Sequence, residues 1–216
     1  MKIIKSSIVF LLILCFAISL PADSFSTDRE KQEQAMSAEE QKMVKRWKEL
    51  ATPGERHKHL RYFVGEWESV QKIWAEPGAE PLQSAQEISV KLLYGGRFTE
   101  AHIKFKQEFF GVKIEGTVIT GYNNYTGKFF SVTFGNDSTG YSSMSGTLDK
   151  TGKVRTDHIE IDDFMTGKKV KFKAITTIIN KDKYTYESYQ VDSKGNEVKY
   201  MEVTYYREKG AGSPIP

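Results

Sequence analysis

The chain has 216 residues, with 31 Lys and Arg against 28 Asp and Glu, a net charge of +3, one cysteine, and 13 Phe, 11 Tyr and 3 Trp. That is enough chain for one domain with a core and short for two, too aromatic for disorder throughout, and too poor in cysteine for a disulfide scaffold. A charge this small gives no reason to expect a nucleic-acid partner.

Lys2 and Lys5 precede an apolar run from Ile8 to Leu20, which Pro21 breaks, and small residues follow at Ala22, Ser24 and Ser26. A basic start, an apolar stretch and a small-x-small site are the parts of a secretory signal peptide. Residues 1–24 are therefore expected to be removed, and a secreted or periplasmic location follows. The run is shorter than the roughly 20 residues that a spanning helix needs, so no membrane span is expected after cleavage. Cys15 lies inside the run behind Leu14 rather than behind a small residue, which is not a lipobox. Its loss with the signal would leave no thiol for catalysis, metal binding or a disulfide.

Residues 25–59 read as a polar segment followed by two helix starts. Ser37-Ala38-Glu39-Glu40 has the form of a capping box, and Met43, Trp47 and Leu50 recur at helical spacing behind it. Thr52-Pro53-Gly54-Glu55 reads as a second start, with Thr as cap and Pro at the first helical position.

From residue 60 to residue 208 the pattern is that of strands. Short runs rich in Val, Ile, Thr, Tyr and Phe are interrupted at Pro77-Gly78, Gly95-Gly96, Gly111, Asn123-Asn124, Asp137-Ser138, Asp149 to Gly152, Thr166-Gly167, Lys181-Asp182 and Ser193 to Asn196. These breaks divide the chain into about ten strands with no helix-length segment between them, so parallel crossovers are excluded. A long antiparallel meander hides its edges best by closing into an up-and-down barrel. The expected fold is all-β, with a helical lead-in and a flexible tail at 209–216. The late strands carry mixed faces: Tyr184, Tyr186 and Ser188 against Glu187, Tyr189 and Val191, then Tyr200 and Glu202 against Met201, Val203 and Tyr205. Mixed faces suit a partly wet lumen better than a sandwich core. Lys104, Lys106 and the lysines at 168, 169, 171 and 173 would put charge on lipid in any register, which excludes an outer-membrane barrel.

Gly65-Glu66-Trp67 opens the first strand, and Tyr205-Tyr206-Arg207 ends the last. This pairing resembles the closure of calycin barrels (lipocalins and fatty-acid-binding proteins), in which a Trp covers one end and a late-strand Arg stacks on it. The resemblance assigns closure to Gly65, Trp67 and Arg207. The run of His57-Lys58-His59-Leu60, Gly65-Glu66-Trp67, Gly95-Gly96-Arg97-Phe98, Glu115-Gly116, Gly121-Tyr122, Asp163 to Gly167 and Tyr206-Arg207 is similar to the DUF1579 family of uncharacterised bacterial proteins. Two departures stand out: Asn123 where that family has Asp, and Phe134-Gly135-Asn136-Asp137 where it has Trp-x-Asp. The resemblance implies a calycin-like barrel and no established activity.

Candidate chemistry is sparse. His57 and His59 would splay apart on a helix, with no carboxylates at a metal-ligand spacing, so no metal site is expected. His158 is the one histidine placed where a haem-binding barrel similar to nitrobindin would hold an axial ligand. The Gly-x-Gly run of that family is missing here, where Glu68-Ser69-Val70 follows Trp67, and no cofactor is expected. No Gly-x-Ser-x-Gly elbow is present, and Asp162-Asp163 sits at a turn, so a hydrolytic barrel is the weaker alternative. Asn124 and Asn136 fit the glycosylation pattern but stand in turns. The remaining candidate is a lumen patch built from Trp67, Arg97, Tyr122, Glu187 and Tyr189, beside Ser69, Gln71 and Thr99. Pointing inward, these would hold a small amphipathic ligand, with Arg97 taking an anionic group; otherwise Arg97 and Glu187 would pair with each other. The expected function is non-enzymatic ligand binding. The alternative is a filled barrel that acts as an interaction module, for an unidentified protein partner, through the helix at residues 37–50. A lumen of roughly 300 Å3 or more separates the two.

Overall fold

A computed structural model describes residues 36–163 and 166–208. The expected signal peptide, Cys15 and the tail at 209–216 lie outside the described residues. The chain divides into two compact units, Met1–Glu49 and Leu50–Pro216.

The described part of the first unit is mostly helix α1, which spans Ala38–Ala51. The capping box forms as its residues require: the Ser37 amide donates to Glu40 at 2.8 Å, and the Glu40 amide donates to Ser37 Oγ at 3.3 Å. The Ser37 amide, and the Ser37 hydroxyl that donates to the same carboxylate at 2.8 Å, hold the Glu40 carboxyl below its ordinary pKa. No residue of α1 is buried, and Met43 and Trp47 remain more than half exposed.

Helix α2 spans Glu55–Arg61 and starts later than the sequence suggests. Gly54 is its N-cap, so Thr52 and Pro53 precede the helix instead of opening it. The role expected of an acidic side chain falls to His57, whose Nδ1 accepts from the Gly54 amide at 3.0 Å.

Ten strands follow: β1 (Gly65–Ile73), β2 (Leu82–Leu93), β3 (Phe98–Phe109), β4 (Val112–Asn123), β5 (Lys128–Gly135), β6 (Ser142–Leu148), β7 (Val154–Asp162), β8 (Lys169–Asn180), β9 (Lys183–Val191) and β10 (Glu197–Arg207). Each pairs antiparallel with its sequence neighbours, and β1 pairs with β10 to close the barrel. Each turn between consecutive strands contains one of the Gly, Asn or Asp clusters, because these residues accept the turn conformations that Val, Ile and Thr resist.

Side chains alternate across the wall. In β3, Thr99, Ala101, Ile103 and Phe105 face in, while Lys104 and Lys106 face out, where Lys106 pairs with Glu68 at 2.6 Å. In β10 the alternation breaks: Lys199 pairs with Tyr189, but Met201 pairs with Ser188, so Tyr200 is an extra residue in a bulge. The bulge turns both Tyr200 and Met201 into the lumen, and it accounts for the mixed faces of that strand.

The apolar core sits at one end. Trp67, Ile88, Val90 and Tyr184 are buried together, with Tyr62, Phe63, Ala101, Ile103 and Tyr205 packed on them. Leu60 of α2 is fully buried beside this end. Gly146 permits the β6–β7 contact opposite, since a Cβ there would lie 1.9 Å from the Thr156 carbonyl oxygen.

Candidate functional site

Trp67 is completely buried at the closed end, and its indole N–H donates to the Phe63 carbonyl at 2.8 Å. The Arg207 guanidinium lies 4.0 Å from the centre of the Trp67 ring and donates to the carbonyls of Tyr62 and Val64, each at 2.8 Å. Gly65 adopts φ +115°, and a Cβ there would meet Arg207 Nη1 at 3.0 Å. The chain therefore needs glycine here for both conformation and space. Tyr184 stacks on Tyr205 with ring centres 4.1 Å apart, and burial pushes the pKa of both hydroxyls up. This end of the barrel is sealed.

Above the seal lies a lumen of about 520 Å3, lined by residues from all ten strands. It reaches the end of the barrel opposite α2, where Asp137, Ser142 and Tyr200 line it. Its floor on β4, β5 and β7 is a connected polar chain. The hydroxyls of Thr120 and Ser131 are hydrogen-bonded at 2.8 Å, Arg155 Nη2 donates to Ser131 Oγ at 3.2 Å, and Arg155 Nε donates to Asp157 Oδ2 at 2.7 Å. The Arg155 side chain is 7% exposed and that of Asp157 0%. Asp157 lies between Gly146 and Ala174 in the sheet register. Its Oδ1 is buried and has no hydrogen-bond partner among the described residues. Burial pushes the Asp157 carboxyl above its ordinary pKa, and Arg155 only partly opposes that.

A second polar group lies on β1 and β2. Ser69 Oγ donates to Gln86 Oε1 at 2.9 Å, and Gln86 Nε2 donates to Gln71 Oε1 at 2.5 Å. Tyr186 adds a hydroxyl that burial holds up at about 12, so it stays protonated at neutral pH. Toward the mouth the wall carries Ile103, Val118, Met144, Ile159, Ile161 and Phe172, interspersed with the uncharged polar side chains of Thr133, Ser142, Ser143 and Ser188. Such a cavity, mostly apolar with a few directional polar groups, has the make-up of a small-molecule pocket.

The candidate residues read from the sequence fall elsewhere. Trp67 lies beneath the floor as part of the seal. Arg97 sits in the β2–β3 turn, where Nε donates to the Ala51 carbonyl at 3.0 Å and Nη1 to the Tyr94 carbonyl at 2.8 Å. Tyr122 packs edge-on against His57 at 5.5 Å and at a tilt against Phe129 at 4.9 Å, below the lumen. Glu187 and Tyr189 lie on the outer face of β9, where Glu187 accepts from Tyr189 at 3.2 Å and also from Lys199. The expected Arg97–Glu187 pair does not form. The arginine of the lumen is Arg155, and a signal for it exists: Arg155, Asp157, Ile159 and Ile161 alternate with Thr156, His158, Glu160 and Asp162, so two charges share the apolar face.

His158 lies on the opposite, exposed face of β7, outside the lumen, so the reading of it as an axial haem ligand does not stand. His59 packs edge-on between Phe63 and Phe129, and its Nε2 is a second buried atom without a partner among the described residues. Burial holds its pKa down to about 4, aided by the nearby Arg155 charge. Asn124 donates to the carbonyls of Leu50 and Thr52, and Asn136 to that of Lys113, so both act as turn residues.

Residues 52–207 match the family described as protein of unknown function, DUF1579. The chain belongs to this family. Among solved structures, the crystal structure of Rv2717c from M. tuberculosis superposes with a TM-score of 0.53 at 14% identity, covering 73% of this chain and 100% of that chain. At that identity the likeness concerns the fold alone. A structure of unknown function from the DUF3598 family of Nostoc punctiforme covers 72% of this chain and 100% of that one at 10% identity, with a TM-score of 0.24, too low to bear on the fold. No curated protein matches the sequence. As a DUF1579 member, the chain combines a sealed barrel end with a polar-floored lumen.

Proposed function

We propose that this DUF1579 protein is an exported, non-enzymatic binding protein that holds a small amphipathic molecule in its barrel lumen. The observation that carries this reading is the lumen of about 520 Å3. A barrel whose own side chains filled its interior would leave no such space, and pockets for small molecules fall in the range of roughly 300–1,000 Å3. Thr120, Ser131 and Arg155 give a ligand head directional contacts, and the apolar side chains of the wall cover its body. Export is supported by the basic, apolar and small-residue pattern of residues 1–24.

Native mass spectrometry of the full chain purified from its own host tests the reading. The expected result is a bound small-molecule mass that is lost in Ala101→Trp, a change that fills the lumen. A ligand-free mass in the host preparation, together with no rise in melting temperature on adding decanamide or decanoate, would overturn it.

A further inference from the structure

We infer that the lumen selects uncharged amphiphiles over anionic ones, and that it holds them head-down on the floor formed by Arg155, Ser131 and Thr120. The ligand class is an aliphatic body with a neutral head, such as a primary amide or an alcohol, that both donates and accepts hydrogen bonds. This inference rests on the lumen-binding reading above and adds to it the charge and orientation of the ligand.

Charge decides the class. Of the described residues that line the lumen, the charged ones are Arg155 on the floor and Asp137 at the mouth. An arginine at the base of an apolar barrel suggests a carboxylate ligand. Here, however, Asp157 already meets that arginine at 2.7 Å, and both side chains are withdrawn from solvent. The pair presents a dipole with no net charge. An incoming carboxylate would lose its hydration, gain no uncompensated cation and stand beside the buried Asp157 carboxylate, while Asp137 repels it at the entrance. Desolvating an ion without a matching countercharge is far more costly than desolvating an amide or hydroxyl. A cationic head meets the opposite objection, because the group facing the lumen on the floor is the guanidinium. A neutral head avoids both.

Orientation follows from where polarity lies. Arg155 has five N–H donors in all, and the bonds to Asp157 and Ser131 use two of them. The Ser131 and Thr120 oxygens add acceptor capacity beside it. Toward the mouth β4 and β7 turn to Val118, Ile159 and Ile161, with Met144 of β6 beside them, while β5 carries the uncharged Thr133. A molecule entering head-first buries its tail against these side chains, and one entering tail-first would set alkyl chain on Arg155.

Decanamide and decanoate have the same shape and differ in charge at neutral pH. Titration of each into the full chain is expected to show decanamide binding at least about tenfold more tightly. In Asp157→Asn the guanidinium loses its countercharge, and the preference is expected to invert toward decanoate. Decanoate binding as well as or better than decanamide to the unaltered protein would overturn the inference and leave the lumen-binding reading intact. Folded Asp157→Asn that keeps the amide preference would also overturn it. Binding of neither probe would count against the lumen reading itself, and the inference would fall with it. If Asp157→Asn does not fold, the comparison on the unaltered protein still decides.

Discussion

Replacing Arg155 with methionine removes the cation paired with the Asp157 carboxylate and leaves most of the stem packing in place. The side chains of the pair are 7% and 0% exposed, and the bond between them is 2.7 Å long. Breaking a buried ion pair from one side costs about 3–5 kcal/mol, because the remaining charge stays desolvated. Loss of the guanidinium 5.7 Å from the centre of the Phe129 ring adds under about 1 kcal/mol. The water-accessible lumen beside Arg155 softens the penalty, so a loss of about 3 kcal/mol at neutral pH is expected. The effect should depend on pH in a definite direction. The Asp157 pKa is already raised in the folded protein and rises further without Arg155. A carboxyl of this kind stabilises the fold below its unfolded value of about 3.9, and that contribution is lost as pH climbs through the folded value. The deficit of Arg155→Met should therefore be small near about pH 4 and grow toward neutrality. Asp157→Asn added to Arg155→Met removes the stranded charge and should recover most of the loss. Urea unfolding followed by the fluorescence of buried Trp67, at several pH values, measures all of this. A loss below about 1 kcal/mol at neutral pH, a deficit that does not change with pH, or a double variant that is simply additive would refute the reasoning.

Further outcomes are expected from other parts of the barrel. The depressed pKa of His59, about 4 against 6.5, means that the unfolded chain takes up this proton first. Its contribution is complete above about pH 6.5 and falls away toward about pH 4, by up to roughly 3 kcal/mol; the difference in stability between the unaltered protein and His59→Phe should trace that slope. Arg207→Lys keeps the charge but loses the planar fork over Trp67 and the paired bonds to Tyr62 and Val64. It should cost about 2–4 kcal/mol in urea unfolding, and a Lys variant as stable as the original would contradict the stacking role. Arg97→Ala should leave decanamide binding unchanged, because its bonds run to the Ala51 and Tyr94 carbonyls outside the lumen. Weaker binding in a titration of that variant would place Arg97 at the site after all.

Much of the architecture was legible because it depends on local chemistry. Turns at Gly95-Gly96, Gly111 and Ser193 to Asn196 need positive φ or short polar side chains, and those residues mark themselves in any sequence. The absence of helix-length segments after residue 61 then left hairpins as the means of joining strands, and ten hairpin-linked strands close most economically on themselves. The Gly65-Glu66-Trp67 and Arg207 pairing was also readable, since tryptophan is rare, with 3 in the chain, and the two motifs sit at the two ends of the meander.

The lumen was not legible, because which side chains face inward depends on partners far away in sequence. In β9 both faces carry tyrosine and small polar groups, so alternation alone could not choose between Tyr184, Tyr186 and Ser188, which point in, and Glu187 and Tyr189, which point out. The bulge at Tyr200 shifts the phase within a single strand, and it exists only in the register between β9 and β10. Arg97 follows the Gly95-Gly96 turn and Arg155 opens an alternating strand, but neither pattern says on which side of the wall the guanidinium ends. One is drawn into a turn by the Tyr94 and Ala51 carbonyls, and the other is held in the barrel by Asp157 and Ser131. The sequence by itself determined the strands, their order and the sealed end. Only tertiary pairing decided which arginine faces the lumen and that its charge is already met, because a strand's two faces become inside and outside only when the sheet closes.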